Sequence, residues 1–223
     1  MAIGLAMCLG FTLPQNFRAP FSAVGYQDFW RRWHVSLSTF FRDYLYAPIR
    51  RQAKTRSLTN VLIAQFFTFL IIGLWHGASW NFMLWGIFNA VVILIEIGLQ
   101  RAVGHWKIWK PKIWKYLFNA ATYILFLFSI LLFRAVDFSQ ASDLFLSFFL
   151  PTETGLSIPL VDWILMIPPV IAVFALHHAL RDRSFEVVAR ATPIVIRTIV
   201  LTAMILAIIL FGQPNEEFIY FQF

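Results

Sequence analysis

Long apolar runs, separated by short polar stretches, dominate this chain of 223 residues. A helix that crosses a bilayer needs about 20 consecutive apolar residues. Five runs approach or reach that length, and they cover residues 57–75, 78–99, 116–136, 158–180 and 191–212. We find no stretch with the strict polar–apolar alternation of a half-buried strand. The pattern therefore predicts an all-α, polytopic integral membrane protein with about five transmembrane helices.

Two other apolar stretches are too short to cross a bilayer on their own. Residues 141–150 are expected to be re-entrant or to lie at the membrane interface. Residues 2–13 lack the charged start and the cleavage site of a signal peptide. We expect them to be the end of a spanning helix whose beginning precedes this chain.

The segment 28–48 is strongly amphipathic when it is projected at the helical period of about 100° per residue. Eight of its aromatic and leucine side chains fall within an arc of about 160°, and its arginines fall on the remainder. This arrangement is typical of a helix that lies along a membrane surface. We therefore predict one amphipathic or re-entrant helix in addition to the spans.

Composition narrows the class of protein. Hydrophobic residues make up 60% of the chain and charged residues only 13%, whereas an ordinary soluble domain has roughly 25% charged residues. One soluble core of this size does not bury that much apolar surface. The composition therefore excludes a disordered chain, a soluble enzyme and a nucleic-acid-binding module.

The net charge of +7 is concentrated in the loops between the apolar runs. The stretches 50–56 and 101–115 contain four and five basic residues without an acid, and 181–190 contains three basic and two acidic residues. Because loops rich in Lys and Arg stay inside the cell, all three are predicted to be cytoplasmic. The basic clusters therefore indicate contact with membrane lipid headgroups and not with nucleic acid.

Two histidines are candidates for chemistry. His34 falls inside the apolar arc of the amphipathic segment, where an ionisable side chain is costly unless it has a partner or a task. His76 lies between two predicted spans, flanked by Gly73 and Gly77. On spacing alone, either histidine is structural or functional. No close spacing of His, Asp and Glu accompanies them, so no metal site is predicted.

Two longer motifs surround these histidines. They are DFWRRWHVSLSTFFRDYLYAPI at 28–49 and GLWHGASWNFMLWG at 73–86. The chain resembles the membrane-bound O-acyltransferases in both, and the branch it is most similar to is the membrane subunit of bacterial alginate O-acetylation. The ending FIYFQF at 218–223 is also similar to that branch.

The resemblance implies a multi-pass enzyme of the cell inner membrane. It would move an acetyl group from a cytoplasmic thioester, acetyl-CoA, through a tunnel toward hydroxyls of an extracytoplasmic polysaccharide. An extracytoplasmic partner protein that acetylates the polysaccharide is implied as well. No bound cofactor is expected, because the acyl-CoA is a substrate.

The resemblance also implies roles for particular residues. His76 would be catalytic, either as a general base toward the acceptor hydroxyl or as a nucleophile that relays the acetyl group. His34 would line the same tunnel and orient or polarise the thioester. The remaining candidates would bind substrate, and they are Arg31, Arg32, Arg42, Trp33, Trp75 and Asn81.

The chain departs from the family pattern in three ways. Asn89 occupies a position where relatives often have a histidine, and Arg50 and Arg51 replace a common Gly-Gly pair. Full members are about twice as long, so residues 1–223 are expected to be the C-terminal part of one transmembrane domain.

Two other classes of protein stay open at the level of sequence. The Pro168-Pro169 pair and the ionisable residues Glu96, Asp162 and Arg197 in apolar runs are also typical of a transporter or channel subunit. An inactive truncated fragment of an acyltransferase is the other alternative.

Overall fold

The computed structural model of the chain describes residues 2–52, 57–105, 111–135, 137–147, 149–150, 160–183 and 185–211. These residues form helices joined by turns, with no strand among them, which confirms the all-α prediction. Two compact units, Met1–Arg181 and Asp182–Phe223, divide the chain. The helices are α1 (Ala2–Cys8), α2 (Tyr26–Arg32), α3 (Val35–Phe41), α4 (Ala47–Gln52), α5 (Leu58–His76), α6 (Trp80–Val103), α7 (Lys112–Arg134), α8 (Phe138–Ser147), α9 (Leu160–Ala179), α10 (Phe185–Ala191) and α11 (Ile194–Phe211).

Three of these helices, α5, α6 and α7, are long and apolar enough to cross a membrane. Two shorter apolar helical stretches follow, Trp163–Ala179 in α9 and Ile194–Leu210 in α11. The described part of the chain therefore contains three of the five expected spans at the required length. The count of five stays a prediction, as does the re-entrant placement of the short stretch that contains most of α8.

Helices α5 and α6 form a hairpin that turns at residues 77–79. Both helices begin with a serine cap, since the Ser57 and Ser79 hydroxyls accept from the N–H groups of Asn60 (3.3 Å) and Phe82 (3.4 Å). The two helices cross closely at Gly73 and Gly86, so that a Cβ atom on Gly73 would overlap the Phe82 carbonyl oxygen. Glycine is therefore required at this crossing.

The amphipathic segment is not one helix, and that expectation is wrong. Helix α2 ends at Arg32 and α3 begins at Val35. Between them Trp33 is extended, and His34 adopts the left-handed conformation with φ 46° and ψ 53°. A π-helical turn at Arg42–Tyr46 then joins α3 to α4.

The cause of the break is a tertiary contact that periodicity does not report. The backbone preceding α2 runs alongside the break. The Val35 N–H donates to the Asn16 carbonyl oxygen (2.9 Å), and the Arg18 N–H donates to the Arg32 carbonyl oxygen (2.9 Å). These bonds occupy backbone groups at the end of α2 and the start of α3, which stabilises the interruption.

The aromatic side chains of the segment consequently point in two directions. Phe29 and Phe41 are buried, whereas Phe40 and Tyr44 are exposed. The Phe29 ring packs against Phe126 of α7, with 4.4 Å between the ring centroids. The segment is therefore partly built into the helix bundle and does not lie wholly on its surface.

We predict that Gly73→Ala destabilises the α5–α6 hairpin by about 1–3 kcal/mol, the usual cost of overpacking a close contact. Thermal unfolding of the detergent-solubilised chain measures this effect. Gly98→Ala is the matched control in α6, because a Cβ there meets nothing within 4 Å. Equal melting temperatures for the two variants would contradict the close crossing.

Candidate active site

His76 is the last residue of α5, and four aromatic rings surround it. The centroid of the imidazole lies 4.9 Å from Trp75, 5.2 Å from Trp85, 5.0 Å from Phe133 and 6.2 Å from Phe82. Within the described part of the chain, no hydrogen bond engages this imidazole. Neither ring nitrogen therefore has a hydrogen-bond partner among the described residues.

His34 occupies the break between α2 and α3. Its left-handed backbone costs a residue with a Cβ atom about 1–2 kcal/mol. Its Nδ1 atom is buried and has no hydrogen-bond partner among the described residues. Burial lowers the pKa of His34 below its ordinary value, so the imidazole is neutral near pH 7. His34 and His76 lie close enough to interact electrostatically.

A cavity of 480 Å³ is lined by residues of α2, α3, α5 and α6. Three arginines line it, Arg18, Arg31 and Arg42. Among the described residues, Arg18 and Arg31 have no ion-pair partner. Arg42 pairs with Asp43, with 2.8 Å between Nε and Oδ1. The guanidinium groups therefore give the cavity lining a positive charge.

One face of α5 leads from this cavity to His76. Gln65, Thr68, Phe69 and Ile72 line the cavity at helical spacing. His76 follows Ile72 by four residues, which places it about 6 Å further along the same face. The face thus changes from an amide through a hydroxyl and apolar groups to an imidazole.

Aromatic contacts connect the same two places through α2 and α6. Trp30 lines the cavity, and its ring lies 5.9 Å from that of Trp85 between centroids. Trp85 in turn contacts His76. Two independent sets of contacts therefore place the cavity and the imidazole next to each other.

Arg32 is engaged in contacts within the protein. Its Nε donates to Asp28 Oδ1 (2.9 Å), and its Nη1 donates to the Arg181 carbonyl oxygen (2.8 Å). Arg181 Nη2 also donates to Asp28 Oδ2 at 2.6 Å. Burial alone would raise the pKa of Asp28, but the hydrogen bonds from the Val24 N–H and the two arginines hold it below its ordinary value. Arg32 therefore stabilises α2 and is not among the residues that line the cavity.

Three other residues were candidates from the sequence, and the structure places only one of them beside His76. Trp75 lies beside His76 and is half exposed. Trp33 packs between Phe17 and Phe29 and is not among the residues lining the cavity. The Asn81 side chain is buried, and its Nδ2 donates to the Ala135 carbonyl oxygen at 2.8 Å. This bond holds the end of α7 near the start of α6.

Sequence reasoning missed three residues of the site. Arg18 precedes both motifs, and Phe133 belongs to α7, so neither had a local signal. Trp85 lies within the second motif, whose pattern alone does not separate it from the other tryptophans there. Their positions follow from tertiary packing.

Asn89 joins a buried polar cluster. Its Oδ1 accepts from the Tyr26 hydroxyl at 2.6 Å, and its Nδ2 donates to the Trp85 carbonyl oxygen and to Ser129 Oγ. Burial raises the pKa of Tyr26, which keeps the phenol protonated as a donor. Asn89 therefore fixes α2 and α7 against α6.

A sequence profile of the membrane-bound O-acyltransferase family matches residues 1–135, which contain both histidine motifs. The chain belongs to this family. The resemblance carried by the motifs is thereby confirmed at the level of the family. The matched residues include all the residues that line the cavity, together with His34 and His76.

Three relatives with named activities extend the comparison. The chain is 37% identical over 123 residues to the peptidoglycan O-acetyltransferase of Helicobacter pylori, which covers 53% of this chain and 23% of that protein. It is 30% identical over 253 aligned positions to a probable alginate O-acetylase of Pseudomonas putida, at 100% and 49% coverage. The teichoic acid D-alanyltransferase of Bacillus subtilis is 34% identical over 97 residues, at 41% and 25% coverage. The chain spans about half or less of the length of these relatives.

We predict that Asp28→Asn lowers the free energy of unfolding by about 2 kcal/mol, because it weakens two charge-assisted hydrogen bonds. Since the pKa of Asp28 is lowered in the folded state, its contribution is present above its unfolded pKa and is lost as pH falls through the folded value. Thermal unfolding at pH 7 and at acidic pH measures both effects.

Glu186→Gln is the control for this prediction, since Glu186 pairs with Arg190 at an exposed position and such pairs contribute little. An Asp28→Asn variant as stable as Glu186→Gln at pH 7 would contradict the role of the network.

Proposed function

We propose that this chain contains the reaction centre of an O-acyltransferase of the cell inner membrane. It transfers an acetyl group from cytoplasmic acetyl-CoA toward hydroxyls of an extracytoplasmic polysaccharide. The observation on which this rests is the single face of α5 that joins a cavity with unpaired arginines to His76. The family membership and the O-acetylase names of two relatives agree with this assignment.

The arginine-lined cavity is the proposed donor site. CoA bears phosphate groups, and guanidinium groups bind phosphate through paired, charge-assisted hydrogen bonds. Arg18 and Arg31 have no ion pair among the described residues, although Glu96 lies near enough to Arg31 for their charges to attract. Arg42 is partly neutralised by Asp43. We therefore assign the stronger phosphate contacts to Arg18 and Arg31.

The location of the cavity agrees with a cytoplasmic donor. Gln27 lines the cavity and donates to Gln100 near the end of α6, and the neighbouring Asp28 binds Arg181. The basic stretches 101–115 and 181–190 thus begin beside the same helix, α2. The positive-inside rule assigns both to the cytoplasm. His76 is the last residue of α5, whereas the basic stretch 50–56 precedes its first residue. With this topology, His76 lies nearer the side of the acceptor polysaccharide and of a partner protein.

In the proposed reaction, His76 is the general base. Neutral imidazole takes the proton of the acceptor hydroxyl while its oxygen attacks the thioester carbonyl carbon. A C–O bond forms and the C–S bond breaks. The CoA thiolate leaves and takes the proton from the imidazolium, which regenerates the base. His34, kept neutral by burial, orients the thioester.

We predict that His76→Gln lowers acetyl transfer at least 100-fold, the lower end of what general-base catalysis contributes. Membranes that contain the chain are incubated with radiolabelled acetyl-CoA and deacetylated alginate, and the label in the polysaccharide is counted. His178→Gln is the control, because His178 is exposed and bonds only to the Phe174 carbonyl among described residues. Full activity of His76→Gln would refute the assignment, as would a wild-type chain without transfer.

We predict that Arg18→Gln and Arg31→Gln each raise the KM for acetyl-CoA about tenfold, since a charged hydrogen bond contributes about 1.5–3 kcal/mol. The kcat should change little, because the phosphates are remote from the reacting carbon. Arg190→Gln serves as the control, being an exposed arginine of an i,i+4 pair. A change in kcat with an unchanged KM would argue against phosphate binding.

A further inference from the structure

Phe133 places an α7 side chain directly against His76. The two ring centroids are 5.0 Å apart, and the planes meet at 86°. Phe133 also lies 5.0 Å from Phe82 and 5.4 Å from Trp85. Edge-to-face aromatic rings at such distances are in van der Waals contact. One flank of the imidazole is therefore closed by Phe82, Trp85 and Phe133.

The orientation of the bound acyl-CoA determines which part of it meets the rings beside His76. On the proposed function, the thioester carbonyl carbon lies beside His76, and its sulfur points back along α5 toward Ile72 and the cavity. The acyl tail is attached to the other side of the carbonyl carbon. It therefore points away from the cavity, toward the end of α7. Phe133 lies there, two turns beyond the Phe126 ring that packs on Phe29 of α2.

We propose that Phe133 limits the acyl group to short chains, with acetyl as the preferred one. The limit is steric, because each added methylene must displace a ring that already touches the imidazole and two neighbours. This inference rests on the proposed function and adds the residue that selects the length of the acyl group. Phe133 is a specificity-determining residue for the same reaction.

Phe133 is a better determinant than its two neighbours. The Phe82 ring occupies the space where a Gly77 Cβ would lie, so changing it disturbs the α5–α6 turn. Trp85 is buried and packs against Trp30 at the cavity. Phe133 is only partly buried and lies in the last turn of α7. Its truncation opens volume beside the imidazole without changing a residue of the α5–α6 hairpin.

The test compares acetyl-CoA with butyryl-CoA as donors for the full chain in membranes, with deacetylated alginate as the acceptor. Phe133→Ala should lower the acetyl-to-butyryl ratio of kcat/KM about tenfold or more, since each methylene admitted to a fitted pocket changes discrimination by 10-fold or more. Phe133→Leu should give an intermediate ratio. Because it retains an apolar side chain, it also controls for a loss of folding in Phe133→Ala. Phe128→Ala removes the same ring from α7 where it faces Phe145, and should leave the ratio unchanged.

Binding supplies a second readout that needs no turnover. Unreactive thioether analogues with acetyl-sized and butyl-sized groups raise the melting temperature of a chain that binds them. Phe133→Ala should be stabilised more by the butyl analogue than the wild type is. If transfer fails in every variant but this shift appears, the proposed function is wrong and the acyl limit stands. An unchanged preference in both assays, or a wild type that accepts butyryl as well as acetyl, overturns the inference.

Discussion

The close crossing of α5 and α6 at Gly73 and Gly86 is the constraint on which the site depends. Because neither residue has a Cβ atom, the two helices approach to backbone contact. That approach brings Trp85 of α6 against His76 of α5. It also lets Ile72 and Ile93 line one cavity from two helices. A wider crossing would separate the imidazole from the aromatic rings and from the cavity.

The second requirement is that α2 and α3 enter the bundle with polar groups satisfied. Glu96 Oε2 accepts from the Gln27 N–H at 2.9 Å, so a carboxylate of α6 caps the start of α2. Asp28 binds Arg32 and Arg181 at the same helix. Between these anchors, the face of α2 that contains Trp30 and Arg31 is directed to the cavity. Glu96 is one of the ionisable residues that, from sequence alone, are also typical of a transporter. Its contact with α2 gives it a structural role.

Periodicity predicted the elements well where local sequence decides them. The expected runs 57–75 and 78–99 differ from α5 and α6 by a few residues at the ends. It failed at 33–34, because the hydrogen bonds that interrupt the helix come from Asn16 and Arg18, far away in the sequence. The motifs identified His34 and His76 but did not separate Arg31, which lines the cavity, from Arg32, which binds Asp28. Arg31 shares a helix face with Gln27, four residues before it, whereas Arg32 projects about 100° away. Only packing reveals which face is used.

One face of α5 joins the proposed donor cavity to His76. A structure of the chain with a bound, unreactive thioether analogue of acetyl-CoA tests it most directly. We predict phosphate oxygens within hydrogen-bond distance of Arg18 and Arg31, and the carbon next to sulfur beside the His76 imidazole. Phosphates bound away from both arginines, or a sulfur more than a helical turn from His76, would contradict it.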